Sequence, residues 1–506
     1  MKPASLVQRR VARRATHALL ALLLCAAPAL AAPTSLALSA EPAASSSPSP
    51  SPSFTQTPPP YGGEQNLTKI PERVDVWTQP SIYPGQLLNL HVSSPSPAYS
   101  ISIKRETYAG GKGPKVVFAQ QRVDGADQRN LITWDAKTGT AHADWLLSFT
   151  LETTSWLPGV YTITTSNQVL SQQGRGIFVV KTPTIRANYP MYALSILTYQ
   201  AYNDWGGASA YTQPRSVRLS MERPFSLKTS LVNGKRQFVI GGWALESAWA
   251  VWLSAHVSGL QYTTDYDLSI SAPPVNPSAL ILGQHTEYVT RTFRDWLDAA
   301  SGDGGTMELA HFGANSLYWQ IRLEGGVESS APTEIVVYKS KGQDPVELIS
   351  PTDVTYQFRS AEIQRPEGSL LGTQYGVCCT NLPPTSMQIG SEVPARLLLG
   401  TGLQKGSVLK NLYDQEADFL YPASKPTILG SALITLSPKK TAILATVIRT
   451  GKHGARIFSA GSVMWVTGFT GTQPFGISRA SFIRFNDNIL YWLGIKQHWY
   501  PLPQRE

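Results

Sequence analysis

The residues best suited to chemistry gather in three short segments. Tyr199-Gln200-Ala201-Tyr202-Asn203-Asp204-Trp205-Gly206-Gly207, followed by Tyr211, is the first; His285 and Glu287 form the second; Asn315 and Trp319 form the third. Tyrosine, asparagine, histidine and glutamate at this density are hydrogen-bonding and proton-carrying groups. The usual nucleophile signatures are missing: there is no GxSxG elbow, no HExxH and no Cys/His zinc spacing. The adjacent pair Cys378-Cys379 lies in a stretch that reads as a loop. No Lys, Arg or His stands near it to lower a thiol pKa, so it is expected to be inert.

The elements around these segments alternate. Residues 279–282 (ALIL) are a continuous apolar strand, and residues 287–300 place Val289, Phe293, Trp296, Leu297 and Ala300 at helical spacing. Gly304-Gly305 separates this helix from a strand over residues 307–312, and residues 316–321 read as helical. Upstream, residues 243–255 form an aromatic-rich helix, with residues 261–263 as a strand after it. On that helix Glu246 reads as part of a solvated face. Strand and helix at this pitch predict a parallel α/β sheet with crossovers. Ligands of such sheets bind beyond the C-terminal strand ends. Gln284-His285-Thr286-Glu287 and Gly313-Ala314-Asn315 are two such ends on consecutive strands, so their polar residues should converge.

The first half has a different texture. Short alternating runs, such as residues 87–92 and 99–103, are separated by Tyr83-Pro84-Gly85 and Leu157-Pro158-Gly159, which predicts a β-sandwich over residues 70–182. It holds no cluster of titratable groups, so its expected role is structural. Trp145 and Trp156 are expected to pack in its core rather than to bind carbohydrate. Residues 1–31 read as a secretory signal peptide, with Lys2, Arg9, Arg10, Arg13 and Arg14 before an apolar run and Ala29-Leu30-Ala31 as the cleavage site. Residues 32–69 read as a Ser/Pro-rich linker. The expectation is a secreted or periplasmic protein without a membrane span. Loss of the leader removes five positive charges from the formal +9, leaving about +4 and no basic block, which argues against nucleic-acid binding.

At the three polar segments the chain resembles the N,N-dimethylformamidase large (beta) subunit family. TYQAYNDWGGASAY (residues 198–211), LGQHTEYVT (282–290) and FGANSLYWQIR (312–322) are similar to the family forms TYQAYNxWGGxSLY, GHDEYW and GxNxxYWxxR, in the same order. The resemblance also takes in Arg223-Pro224-Phe225, residues 243–268 and Phe458-Ser459-Ala460-Gly461, and spans about residues 70–498. It departs at Thr286, where the family carries an acid, at Val289, where it carries Trp, and at Ala210.

The resemblance implies a mononuclear iron held by Tyr202, Tyr211 and Glu287, with Tyr199 as the rival for the first position. It suggests His285, Asn315 and Glu416 as neighbouring or acid/base groups. Three hard anionic oxygens would neutralise a ferric ion. The fold expected is an N-terminal β-sandwich (Ig-like) followed, over residues 183–500, by a doubly wound, glutamine-amidotransferase-like α/β catalytic domain. The expected activity is hydrolysis of a non-peptide C–N bond in a small-molecule amide. A homo-oligomer or a small partner subunit stays open. The alternatives are a non-catalytic extracellular binding protein and a hydrolase or lyase for another substrate class on the same scaffold.

Overall fold

Alternation builds the first half. In the strand Ala98–Arg105 every second residue is buried, so Tyr99, Ile101 and Ile103 face inward. It pairs antiparallel with Lys115–Asp124 and Gly159–Ser166, within a five-stranded sheet that also holds Ser81–Ile82 and Gly174–Val180. A three-stranded sheet of Asp75–Trp77, Leu88–Ser93 and Phe149–Leu151 shares one core with it: Val76, Leu90, Ile101, Ile163 and Phe178. Trp156 stacks on Tyr161 in that core, and Trp145 is buried edge-on against Trp205.

The computed structural model describes residues 72–497 apart from 168–172, 214, 233–234 and 326–330. The signal peptide expected over 1–31 and the whole of the linker expected over 32–69 lie outside the described residues.

An eleven-stranded mixed sheet organises the second half. Its parallel part runs, in spatial order, Gln261–Thr264, Met191–Leu194, Ala279–Leu282, Glu308–His311 and Arg456–Ser459. These strands are covered on both faces, which is why they read as unbroken apolar runs rather than alternating ones. Tyr192, Ile281 and Phe312 pack with Trp249 and Leu253 of the helix Gly241–His256 and with Phe485 of the helix Arg479–Trp492. Met191, Leu280, Leu282 and Leu309 pack on the other side with Phe293 and Leu297 of the helix Arg291–Ser301. Past Arg456–Ser459 the sheet turns antiparallel through Lys440–Thr450, Thr427–Ser437, Thr385–Ile389 and Val408–Tyr413, with Glu416–Leu420 and Thr373–Cys378 alongside. The fold is thus α/β plus β. The described residues make one compact unit, and its largest core runs from Val160 and Val179 into Tyr192 and Trp249. Among them no helix is long and apolar enough to cross a membrane.

Three local expectations are corrected. The helix expected over 287–300 starts only at Arg291, where Thr290 caps it by accepting the Phe293 N–H, because Tyr288–Thr290 is a short strand. The helix expected over 316–321 is absent: Trp319–Glu324 is a strand, parallel to Tyr288–Thr290 and antiparallel to Glu334–Val336. Trp319, Ile321 and Leu323 alternate with polar residues, and two partner strands outweigh a short helical pattern. Residues 374–378, expected in a loop, belong to a strand paired with Glu416–Leu420.

Candidate functional site

The first segment is wound around a buried arginine. The strand Met191–Leu194 leads into the six-residue helix Ile196–Ala201, and Tyr202 is its C-cap. Beyond it the chain must coil tightly, and Gly206 and Gly207 supply positive φ of 72° and 83°. Arg223 is buried and donates to the carbonyls of Gln200, Asn203, Trp205, Ala208 and Ser220. Its guanidinium fork satisfies carbonyls that a loop would otherwise leave bare. The first half braces the same loop: Asp75 accepts the Trp205 indole N–H at 3.0 Å, and Arg73 bonds the Phe225 carbonyl at 2.8 Å while pairing with Asp75.

The two strand ends meet as their order requires. His285 Nδ1 lies 3.0 Å from the Ala314 carbonyl, so that nitrogen carries a proton and Nε2 faces the site. Thr198 Oγ1 accepts the Glu287 N–H at 3.0 Å, tying the first segment to the second. Thr286 points away from the cluster and pairs with Ser195 at 2.8 Å. Gly313 passes so close to the Gln284 carbonyl that a Cβ would sit 1.8 Å from it. Asn315 and Leu317 adopt positive φ of 49° and 58°, a left-handed turn that L-residues rarely take.

Six of the residues singled out in the sequence come together. The Tyr211 hydroxyl is 2.9 Å from the Tyr202 hydroxyl and 3.1 Å from each Glu287 carboxylate oxygen. His285 Nε2 is 3.3 Å from the Tyr202 hydroxyl, 3.1 Å from Glu287 and 3.6 Å from Glu416. Asn315 Nδ2 donates to Glu416 at 2.8 Å. Tyr199 turns elsewhere: its hydroxyl donates to Glu246 at 2.9 Å. Glu246 itself is fully buried, not solvated. Tyr192 and Tyr199, distant in sequence, satisfy both its oxygens. Burial raises its pKa, against the opposing bonds from the two tyrosines.

Two neighbours not singled out in the sequence complete the cluster. The Tyr288 hydroxyl sits 2.5 Å from that of Tyr211, and Lys339 reaches the Tyr288 hydroxyl while its Nζ lies 3.7 Å over the Tyr211 ring. Tyr288 directly follows Glu287 in HTEY and was within reach of motif reading. Lys339 stands in no motif.

The charges settle each other. Burial opposes a charge on His285, but Glu416 and Glu287 outweigh it and push its pKa up to about 9, so it is an imidazolium at neutral pH. Glu287 stays below the ordinary carboxylate range because His285 offsets the cost of its burial. Burial raises Glu416, with His285 opposing. The phenols of Tyr202, Tyr211 and Tyr288 lie well above their usual value, chiefly through burial and then through Glu287. Burial brings Lys339 down to about 7. Cys379, exposed just past the strand Thr373–Cys378, is pushed up to about 12 by desolvation and by Cys378, which suits an inert thiol.

A cavity of about 470 Å³ opens onto the cluster, lined among others by Tyr202, Tyr211, His285 and Glu416. Tyr202 and Tyr211 keep 38% and 44% of their surface open while their hydroxyls turn toward buried Glu287. Among the described residues no group of three or more His, Cys, Asp or Glu is disposed to hold a metal ion. The oxygens that meet in the cluster are one carboxylate and two phenols. The family model described as N,N-dimethylformamidase beta subunit-like, C-terminal, matches residues 100–476. No curated protein matches the chain.

Proposed function

The chain belongs to the N,N-dimethylformamidase beta subunit-like family, and from that premise we propose that it is an exported hydrolase cleaving an amide or formamide C–N bond at a mononuclear ferric ion held by Tyr202, Tyr211 and Glu287. The family suggests amidohydrolase activity; the metal, the export and the residue roles are our reading. The observation that carries it is oxygen spacing. The two phenol oxygens and the Glu287 carboxylate, drawn from two segments of the chain, meet at 2.9 and 3.1 Å; these are hydrogen-bond distances that also fit ligands about 2 Å from one metal. Phenol and carboxylate oxygens are also the hard donors that a ferric ion prefers.

Bound there, the ion would polarise the amide carbonyl and lower the pKa of water. The chain's own residues do the rest. His285 holds a proton on Nε2, between Glu287 and Glu416, where it can pass to the departing amine. Glu416, fixed by Asn315 Nδ2, takes a proton from the attacking water. Asn315 Oδ1 is buried without a hydrogen-bond partner, which suits it to accept an N–H or O–H from substrate or water. In the same proposal residues 70–182 are an Ig-like brace, and residues 183–500 are a doubly wound, glutamine-amidotransferase-like catalytic domain. Helices on both faces of parallel strands support the latter. A small partner subunit fits the family's subunit name.

The test is elemental analysis of the purified full chain together with its visible spectrum and formamide turnover. About one iron per chain, a tyrosinate-to-iron band and amine release are expected. A folded, colourless protein with no metal after iron-replete expression would sink the reading and favour a binding protein.

A further inference from the structure

Resting on that hydrolase reading, we propose that the preferred substrate is an uncharged amide bearing one large apolar group, aromatic or branched aliphatic, rather than a dimethylamide. The argument lies in the part of the cavity that the cluster does not occupy. Its apolar walls there are Phe225, Ile240, Leu245 and Val463, which share the lining with polar side chains such as Asn203 and Gln284. Tyr199 adds to them as carbon surface, because its hydroxyl is spent on Glu246. The helix Gly241–His256 presses on that ring: a Cβ on Gly242 would fall 2.2 Å from Tyr199 Cε1, so only glycine lets the helix start against it.

Size and charge both select. Cavities of about 300–1,000 Å³ enclose drug-sized ligands, and this one measures about 470 Å³. A formyl group with two methyls would leave most of it as water against apolar walls, forfeiting the gain from covering them. The exposed charges of the lining, Lys228 and Asp204, face each other at 3.3 Å. They neutralise each other, and a charged substituent would have to break that pair. Hydrolysis adds water across the acyl C–N bond, giving a carboxylic acid and an amine, and the amine keeps or leaves behind the bulky group.

N,N-dimethylformamide and N-methylformanilide differ by a phenyl in place of one methyl. With the iron-loaded full chain, kcat/KM for the formanilide should exceed that for the dimethylamide at least tenfold, since one methylene in an apolar pocket already discriminates by roughly 10–200-fold. Leu245→Asn places an amide in the apolar wall. Leu245 is 38% exposed, so the variant folds, and it should lower the ratio of the two kcat/KM values about tenfold. Calorimetric binding of both amides gives a second readout that does not depend on turnover. Tighter binding of the formanilide, weakened by Leu245→Asn, supports the inference where either amide is cleaved; the same binding with neither cleaved leaves an apolar binding pocket, and the hydrolase reading falls with the substrate claim. Cleavage of dimethylformamide with no preference for the formanilide, or a ratio that Leu245→Asn does not move, overturns the inference and leaves the hydrolase reading standing. Absence of formanilide binding also overturns it.

Discussion

Replacing His311 should change how the protein responds to acid, by an amount that follows from its surroundings. His311 ends the strand Glu308–His311 and is fully buried. Its Nε2 lies 2.8 Å from Ser316 Oγ, an oxygen that already accepts the Thr286 N–H. Ser316 Oγ and His311 Nε2 share one hydrogen bond, and the other ring nitrogen is buried without a partner, so the pocket offers nothing to stabilise a second ring proton. Burial, helped by the charge on His285, pushes its pKa down to about 3. The unfolded chain has its histidine near 6.5. Between those values the unfolded state binds a proton that the folded state refuses, so this residue makes stability fall as pH drops below about 6.5 and adds nothing above it. Each unit is worth about 1.4 kcal/mol, so the penalty at pH 4.5 is about 2–3 kcal/mol. His311→Asn removes the titration and keeps an acceptor for Ser316. Denaturant unfolding of both proteins at pH 7 and 4.5 should show a smaller acid loss in the variant by about that amount. Carboxylates that titrate in the same range cancel in the difference. Equal losses would mean that His311 is charged or solvated in the fold, and the turn joining Thr286 to Ser316 would be wrong.

Further outcomes concern the cluster and its support. Tyr211→Phe removes one phenol oxygen from a ring that is 44% exposed; it should shift or bleach the visible band and weaken iron retention while the unfolding midpoint stays close to wild type. Glu287→Ala should lose the metal outright, read by elemental analysis, whereas His285→Ala should keep it and lower turnover about a hundredfold to ten-thousandfold. Equal metal loss in all three variants would make His285 a ligand or its support. Arg223→Lys leaves several of its carbonyls without a donor at about 1–3 kcal/mol each; thermal unfolding should drop accordingly, and limited proteolysis should newly cut residues 204–213.

The fold was most legible where burial leaves a one-dimensional trace. Apolar runs such as 279–282, followed by glycines and a helical period, marked the parallel strands, because a strand covered on both faces cannot alternate. The misread segments are those decided by partners. Residues 316–321 include the strand formers Tyr318, Trp319 and Ile321, and Trp319–Glu324 pairs with both Tyr288–Thr290 and Glu334–Val336, so strand preference and partners together outweigh a short helical pattern. Thr373–Cys378 is a strand for the same reason, its partner lying some forty residues on at Glu416–Leu420.

The candidate site divides along the same line. Tyr202, Tyr211 and Glu287 stand in motifs that the eye can join, and strand order then puts His285 beside Asn315. The choice between Tyr199 and Tyr202 was not legible, because it depends on where a six-residue helix stops. That helix ends at Ala201 with no proline or glycine before Gly206, and the carbonyls of Gln200, Asn203 and Ala208 around its end are taken by Arg223, more than a dozen residues downstream. Once the helix stops there, Tyr199 remains on the face toward Gly241–His256 and meets Glu246, while Tyr202 swings toward His285. Glu246 looked like a solvated residue because its partners, Tyr192 and Tyr199, lie some fifty residues upstream. A buried acid with two phenols and a loop coiled on a buried arginine are the same kind of fact. Each is a polar group whose cost is met across the fold, and a linear reading sees only the half that would be destabilising alone.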